Sequence, residues 1–212
     1  MEKVNYGRML DEKLSELERT GERPKLLLHA CCAPCSSHTL LYLHERFRIT
    51  LYFFNPNIAP EEEYLYRRDE LLRLVRELGL DIPVIDETYD PAPFYELAKG
   101  LEELPERGER CQRCIALRLK AAGAKAAELG ADFFTTTLTI SPHKDAAFIN
   151  RCGGEIAEQC GVAYLFSDFK KHDGYKHSIE LSHQYGLYRQ DYCGCVYSRI
   201  NKQKAAESAR DE

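Results

Sequence analysis

Residues 25–37, Lys-Leu-Leu-Leu-His-Ala-Cys-Cys-Ala-Pro-Cys-Ser-Ser, constrain this chain more than any other stretch. The apolar run is too short for a helix and is bounded by breakers, so it reads as a buried strand. Ser36 and Ser37 then offer N-cap oxygens to a helix carrying Leu40, Leu41, Leu43 and Phe47. A strand feeding a helix N-terminus gathers free backbone N–H groups and the positive end of the helix dipole at one edge. Open α/β sheets take their ligands there. Many such folds place glycines at this turn to admit phosphate. Here the turn is built from Cys31, Cys32 and Cys35.

The same strand-then-turn pattern recurs. Residues 49–54 run into Asn55-Pro56-Asn57, and residues 132–138 run into Ser141-Pro-His-Lys-Asp145; further short strands are predicted at 82–85 and 162–166. Helical spacing separates them: an N-terminal helix on Met9, Leu10, Leu14 and Leu17, then helices over 61–78, 115–127 and 145–160. This alternation predicts an α/β fold, a Rossmann-like, mostly parallel sheet with helices on both faces and a metal site at the carboxyl edge of the strands. The 212 residues are expected to form one domain, 1–212, with a helical insertion near 86–114 and a basic, aromatic C-terminal segment over 168–212. An acidic, proline-interrupted stretch carries the insertion, with a helix expected around 94–104. The formal charge of −5 argues against a chain basic all over. The charged N-terminus has no apolar h-region and no run reaches membrane-spanning length, so a cytoplasmic protein without membrane contact is expected.

Nine cysteines in a chain without an export signal point to metal binding or redox chemistry more than to structural disulfides. Cys152 and Cys160 lie in a helical stretch and read as small buried hydrophobes. The other seven fall into three clusters. Cys111-Gln-Arg-Cys114 precedes a helix, which aims two sulfurs the same way and lowers their pKa, and by itself fits zinc, iron–sulfur or dithiol chemistry. Together with Cys31 and Cys32 it makes four thiolates able to close around one centre. Tetrahedral zinc is one such centre; adjacent cysteines at a ligand edge fit the wider corners of a [4Fe–4S] cluster better. In Cys193-Gly194-Cys195 the glycine permits a backbone turn tight enough for a strained, labile disulfide, unless either sulfur is a further metal ligand. Cys35 is left as a candidate ligand of a second metal, with Asp191. Between 168 and 202, Lys170, Lys171, Lys176 and Arg189 alternate with Tyr175, Tyr185, Tyr188 and Tyr192. That pattern suits a nucleic-acid backbone and stacked bases; a solvated amphipathic helix fits the composition equally well.

Five segments in order carry a specific resemblance: His29-Ala-Cys-Cys-Ala-Pro-Cys35, Asn55-Pro-Asn-Ile-Ala-Pro60, Cys111-Gln-Arg-Cys114, Thr135-Thr-Thr-Leu-Thr-Ile-Ser-Pro-His-Lys144 and Tyr188-Arg-Gln-Asp-Tyr-Cys-Gly-Cys-Val-Tyr-Ser198. Across almost the whole chain the sequence resembles the QueH-type epoxyqueuosine reductases. The resemblance implies a HUP-like domain similar to those of ATP-using tRNA thiolases, with Cys31 to Cys35 in place of their glycine-rich ATP loop. It implies reduction of epoxyqueuosine to queuosine at the wobble position of tRNA, the last step of queuosine synthesis, by an oxidoreductase fed by a separate electron donor. Carried onto this chain, the metal ligands are Cys31, Cys32, Cys111 and Cys114, holding a [4Fe–4S] cluster, with Cys35 a candidate for a second iron. Cys193 and Cys195 form the redox pair. Proton donors come from His143, Asp191 and Tyr64, and substrate contacts from Asn55, Asn57, Arg67, Arg113, Ser141, Lys144 and Arg189. Two rivals stay open: a cluster-dependent tRNA sulfur-transfer enzyme, which needs the missing ATP loop, and a zinc-stapled, non-catalytic RNA-binding module, which would be colourless.

Overall fold

Strands and helices alternate in the computed structural model, which describes residues 4–208. In chain order they are α1 (Tyr6–Thr20), β1 (Lys25–His29), α2 (Ala33–Leu43), β2 (Arg48–Phe53), α3 (Glu61–Glu77), β3 (Val84–Asp86), α4 (Ala92–Ala98), α5 (Glu109–Glu128), β4 (Phe133–Thr136), a 3-10 turn (Thr137–Ile140), α6 (Ala146–Cys160), β5 (Ala163–Tyr164), α7 (Gly174–Gln184) and α8 (Val196–Ser208). The five strands form one sheet in the order β3-β2-β1-β4-β5, with every neighbouring pair parallel.

Strand β1 lies in the middle, and its composition explains why. Leu26 and Leu28 pack with α1, α2 and α3 residues such as Leu14, Leu40 and Leu71, whereas Leu27 enters the opposite core with Leu119, Phe134 and Ile156. Side chains of a strand alternate between faces, so an unbroken leucine run can be satisfied only where helices cover both sides. Chain order reverses direction across the sheet between β1 and β4. At such a switch point the loops leave in opposite directions and a crevice opens beyond the carboxyl ends.

Helix boundaries differ from the sequence-based expectation in three places, each for a local reason. Helix α2 begins at Ala33, with Cys32 at the N-cap and Pro34 in its first turn. Proline presets the helical φ there and lacks the N–H that would go unpaired. Ser36 and Ser37 are therefore inside the helix, their hydroxyls donating to the carbonyls of Cys32 (2.8 Å) and Pro34 (2.9 Å), and they cap nothing. Helix α5 begins at Glu109, so Cys111 and Cys114 sit within its opening turns instead of before them. The helix expected around 94–104 ends at Ala98: Gly100 follows with φ of 74°, and residues 99–108 run as turns up to α5. Asp145 caps α6, accepting from the N–H of Ala147 (2.9 Å) and Phe148 (3.1 Å). Among the described residues no helix is long and apolar enough to cross a membrane.

The tightest packing on the α5–α6 side is at Gly153, where an added Cβ would lie 2.4 Å from the Tyr164 ring. Tyr164 is wedged between Phe134 and Phe166 and has no room to yield. Gly153→Ala should therefore cost about 1–3 kcal/mol as an overpacked core. At roughly 2–4 °C per kcal/mol for a chain of this size, that lowers the melting temperature by several degrees, read by thermal circular dichroism. Gly154→Ala, whose Cβ would meet Phe166 at an ordinary 3.4 Å, is the control; it gains about 0.5–1 kcal/mol of helix propensity without a clash and should melt at or slightly above the parent.

Candidate metal and redox centre

A cavity of about 560 Å³ opens at the carboxyl edge between β1 and β4. Three separate parts of the chain supply its sulfur: the β1–α2 turn, the start of α5, and the loop before α8.

At the β1–α2 turn the Sγ atoms of Cys31, Cys32 and Cys35 all lie within 4.8 Å of one another. Cys31 and Cys32 are 3.7 Å apart, sulfur to sulfur. Two thiolates on one tetrahedral ion with metal–sulfur bonds of ~2.3 Å are separated by about the same distance, so this edge of the site has the size of a metal polyhedron. Without metal the three thiols are electrostatically unequal. Cys31 accepts from the Cys32 and Cys35 thiols and is held well below the ordinary thiol range. Cys32, as donor to Cys31, is pushed up to about 12, and Cys35, as donor to both, is raised well above its usual value. Thr137, on the 3-10 turn after β4, fixes the anion: its Oγ1 accepts from the Cys31 N–H (3.2 Å) and donates to the Cys31 sulfur (3.3 Å).

Behind this turn His29 is fully buried. Nε2 donates to the Phe54 carbonyl (3.0 Å), since a carbonyl can only accept, so Nδ1 accepts from Thr136 Oγ1 (2.8 Å). Burial, and then Arg118, lower its pKa to about 4, which keeps it a neutral strut.

Cys111 and Cys114 sit on the wall formed by α5. Cys111 lines the cavity, while Cys114 is buried against Phe94 and Cys195. Arg118 follows at i+4 from Cys114 on the same helix face. It is buried, Nε donating to the Cys114 carbonyl (3.3 Å) and Nη1 to Asn55 Oδ1 (3.5 Å). Sequence reasoning missed Arg118; an arginine four residues beyond the second cysteine of a helical CxxC was the available signal.

The third wall is the loop over 189–195. Gly194 has φ of 108°, and a Cβ there would lie 2.9 Å from Arg67 Nη1 and 3.1 Å from Ile58 Cγ1. Only glycine fits this turn. Arg67, buried and paired with Glu63 (2.6 Å), donates to the Cys193 carbonyl (3.3 Å) and lies 5.2 Å from the Tyr192 ring centroid. Cys193 and Cys195 are both free thiols and are unequal. Lys144 Nζ donates to Cys193 Sγ at 3.1 Å. Burial pushes Cys193 up, yet Lys144 and Arg118 together outweigh it and leave the thiol below its ordinary value. Cys195, buried and beside Cys193, is pushed up to about 12, its sulfur accepting from the Ser198 N–H (3.4 Å).

Most residues expected at the site are found at this cavity. Asn55 donates to the Ala30 carbonyl (2.9 Å) and so braces the cysteine turn. Asn57 lines the cavity, and its Oδ1 is buried without a hydrogen-bond partner. Ser141 accepts from the His143 N–H (3.2 Å), and His143 lies exposed at the mouth beside Arg107 (3.3 Å). Arg189 borders the cavity with Nη1 on Ser182 Oγ (3.1 Å).

Three expectations change. Tyr64 is a core residue: its ring packs on Phe53 and Tyr89 and its hydroxyl donates to the Glu87 carbonyl (2.9 Å), away from the cavity. Arg113 lies on the outer face of α5, exposed and paired with Glu109. Asp191 reaches the cavity, but its ion pair with Lys202 holds the carboxyl below its ordinary value, so it is ionised at neutral pH and unsuited to donate a proton. In the basic segment Lys170 is also spent internally, paired with Asp168 (2.7 Å) and donating to the Thr139 carbonyl (3.0 Å).

Known proteins match this chain over most of its length. A family model described as epoxyqueuosine reductase QueH matches residues 26–201. A Staphylococcus epidermidis protein named epoxyqueuosine reductase QueH is 43% identical over 207 residues, 95% of this chain and 87% of that protein. Its namesake from Streptococcus pyogenes serotype M1 is 42% identical over 201 residues, covering 93% and 79% of the two chains. The one from Thermotoga maritima is 34% identical over 187 residues, covering 87% and 96%.

The Lys144–Cys193 contact makes a signed prediction. Lys144 favours the thiolate, so Lys144→Met moves the Cys193 thiol up and lowers its ionised fraction at neutral pH. Alkylation of Cys193 by iodoacetamide, followed by peptide mass spectrometry, should slow by about three- to ten-fold at neutral pH. The two rates should converge above pH ~10, where both thiols are ionised. A rate ratio independent of pH would remove the electrostatic role of Lys144.

Proposed function

The chain belongs to the epoxyqueuosine reductase QueH family, and from that premise we propose that it reduces epoxyqueuosine to queuosine at the wobble position of tRNA. The observation that carries this reading is the convergence of cysteines from three segments, with Lys144 on Cys193, around one cavity at the β1–β4 switch point. The enzyme is then an oxidoreductase of queuosine biosynthesis. Its net reaction removes the epoxide oxygen as water, which consumes two electrons and two protons and leaves a carbon–carbon double bond.

Cys31, Cys32 and Cys35 form a group that could hold a metal. We assign Cys31 and Cys32, with Cys111 and Cys114 across the cavity, to a [4Fe–4S] cluster, and leave Cys35 for a second iron. The donor set fits such a group in chemistry as well as number. Arg118 and Lys144 are cations facing cysteines, Arg118 has no carboxylate at ion-pair distance among the described residues, and buried cations need anions beside them. A [4Fe–4S] cluster bound there supplies electrons singly at low potential. The chain's own groups do the rest. Cys193 and Cys195 together carry two electrons, with Lys144 holding Cys193 as thiolate and Cys195 retaining its proton at Sγ. The unpartnered Asn57 Oδ1 offers an acceptor to substrate hydroxyl or N–H donors, and Arg189 and Tyr192 stand at the rim where a nucleotide enters.

Anaerobically purified protein with dithionite and tRNA bearing epoxyqueuosine should yield queuosine, read by nucleoside mass spectrometry. Cys→Ala at Cys31, Cys32, Cys111 or Cys114 should bleach the protein and lower its iron and sulfide content. Ser at both Cys193 and Cys195 should keep the spectrum while multiple turnover collapses. A colourless zinc protein that leaves the epoxide intact would overturn the reading.

A further inference from the structure

Tyr175 lines the cavity from the first turn of α7, with Ser178 beside it one turn along the same helix. It is half-buried, and among the described residues its hydroxyl has no hydrogen-bond partner. Its ring meets Arg189, whose guanidinium lies 5.9 Å from the ring centroid. That guanidinium is anchored on α7 itself, Nη1 donating to the Ser178 carbonyl (3.4 Å) and to Ser182 Oγ (3.1 Å). The turn into α7 fixes where Tyr175 points. His172 and Asp173 are both left-handed, with φ of 52° and 58°, a conformation that side chains adopt only under constraint. At Gly174 a Cβ would lie 2.0 Å from the Phe169 carbonyl oxygen and 2.7 Å from His38 Nε2. Two strained residues and a close approach to α2 therefore hold in place a phenol whose O–H no protein group uses. A tyrosine placed this way keeps its polar end for what the cavity binds.

We propose that Tyr175 is a catalytic residue, the acid that hydrogen-bonds the epoxide oxygen and protonates it as the ring opens. This rests on the reduction of epoxyqueuosine proposed above. The other groups near the chemistry are engaged elsewhere: Tyr64 in the core, Asp191 with Lys202, and Lys144 with Cys193, while His143 stands exposed at the mouth. The reaction breaks both carbon–oxygen bonds of the epoxide, takes two electrons from the reduced protein and two protons, and releases the oxygen as water beside a carbon–carbon double bond. When the first of those bonds opens, negative charge collects on the oxygen. The Tyr175 O–H donates its proton there, and the phenolate regains one from water at the cavity mouth. The second proton, which completes the leaving water, comes from solvent. Arg189 sets a fixed positive charge beside the ring while Tyr175 is without its proton.

The test is Tyr175→Phe, which keeps the ring and removes the O–H. Protein reconstituted anaerobically and reduced with dithionite is mixed in excess with tRNA bearing epoxyqueuosine, and the single-turnover rate is read by nucleoside mass spectrometry. The variant's rate should fall by about 100-fold or more. A second readout needs no electrons. Without reductant, the parent should hold tRNA bearing epoxyqueuosine about three- to ten-fold tighter than tRNA bearing queuosine, which lacks that oxygen, and Tyr175→Phe should lose most of this preference. Affinity for tRNA bearing queuosine should stay within about three-fold of the parent's. A variant with the parent's rate leaves the ring as a packing or stacking surface and overturns the proposal. A slower variant that keeps the binding preference also overturns it, since the O–H would not then meet the oxygen. The hydroxyl has no protein partner, so the variant should melt with the parent; one that unfolds makes Tyr175 structural and ends the assignment. A parent that leaves the epoxide intact removes the functional reading itself, whereas an active parent beside an unimpaired variant removes only the role of Tyr175.

Discussion

The burial of β1 on both faces is the constraint on which the rest of the molecule depends. A strand of three leucines between two parallel neighbours is laddered on both edges, and the last ladder bond runs from the Ala30 N–H to the Tyr52 carbonyl (2.9 Å). At Ala30 the ladder stops, and the chain enters α2 through a turn in which Cys31 bonds a threonine from β4's far end and Ala30 bonds an asparagine from β2's. Neighbouring strands thus hold the turn in place through their own first irregular residues. The cysteines inherit a rigid base from a hydrophobic strand that has no chemistry of its own.

Charge sets the second layer. The cavity gathers Arg118, Lys144 and Arg67 around thiols; of the carboxylates that line it, Asp191 is paired with Lys202 and Asp145 caps α6, while Glu106 faces Cys193 and opposes its ionisation. Low dielectric makes such an arrangement demanding, since each buried cation needs an anion and each thiol responds to the nearest cation. The outcome is division of labour among chemically identical side chains. Cys31 and Cys193 are disposed to be thiolates and Cys32, Cys35 and Cys195 to keep their protons, all from placement relative to a few neighbours.

The loops finish the site with backbone geometry. Gly194 passes close over Arg67 and Ile58, and its carbonyl accepts from the Ala59 N–H (3.0 Å), which joins the redox loop to the turn after β2. Residues 101–104 are gathered by Arg110, whose Nη1 donates to the carbonyls of Leu101 (3.1 Å), Glu102 (2.6 Å) and Leu104 (2.9 Å), with Tyr197 of α8 stacked on its guanidinium. The Tyr197 contact brings α8, distant in sequence, against the start of α5, where Cys111 and Cys114 lie.

The sequence by itself determined the strand–helix alternation, the parallel sheet, and the edge at which the cysteines gather. These follow from local patterns: leucine runs bounded by breakers, apolar spacing, and turn residues at strand ends. It also identified Asn55, Asn57, Ser141, His143 and Lys144 at the cavity, because the turns beyond the carboxyl ends of parallel strands converge there. The tertiary structure alone decided which way each helical side chain faces and what it meets. Tyr64 and Arg113 sit at positions where one turn's rotation separates cavity from core or solvent, and only the docking of α3 and α5 on the sheet chose between them. Arg118 was invisible for the same reason: it is buried at a cavity that sulfurs from three segments line, and burial and charge neighbours are properties of packing that no local pattern carries.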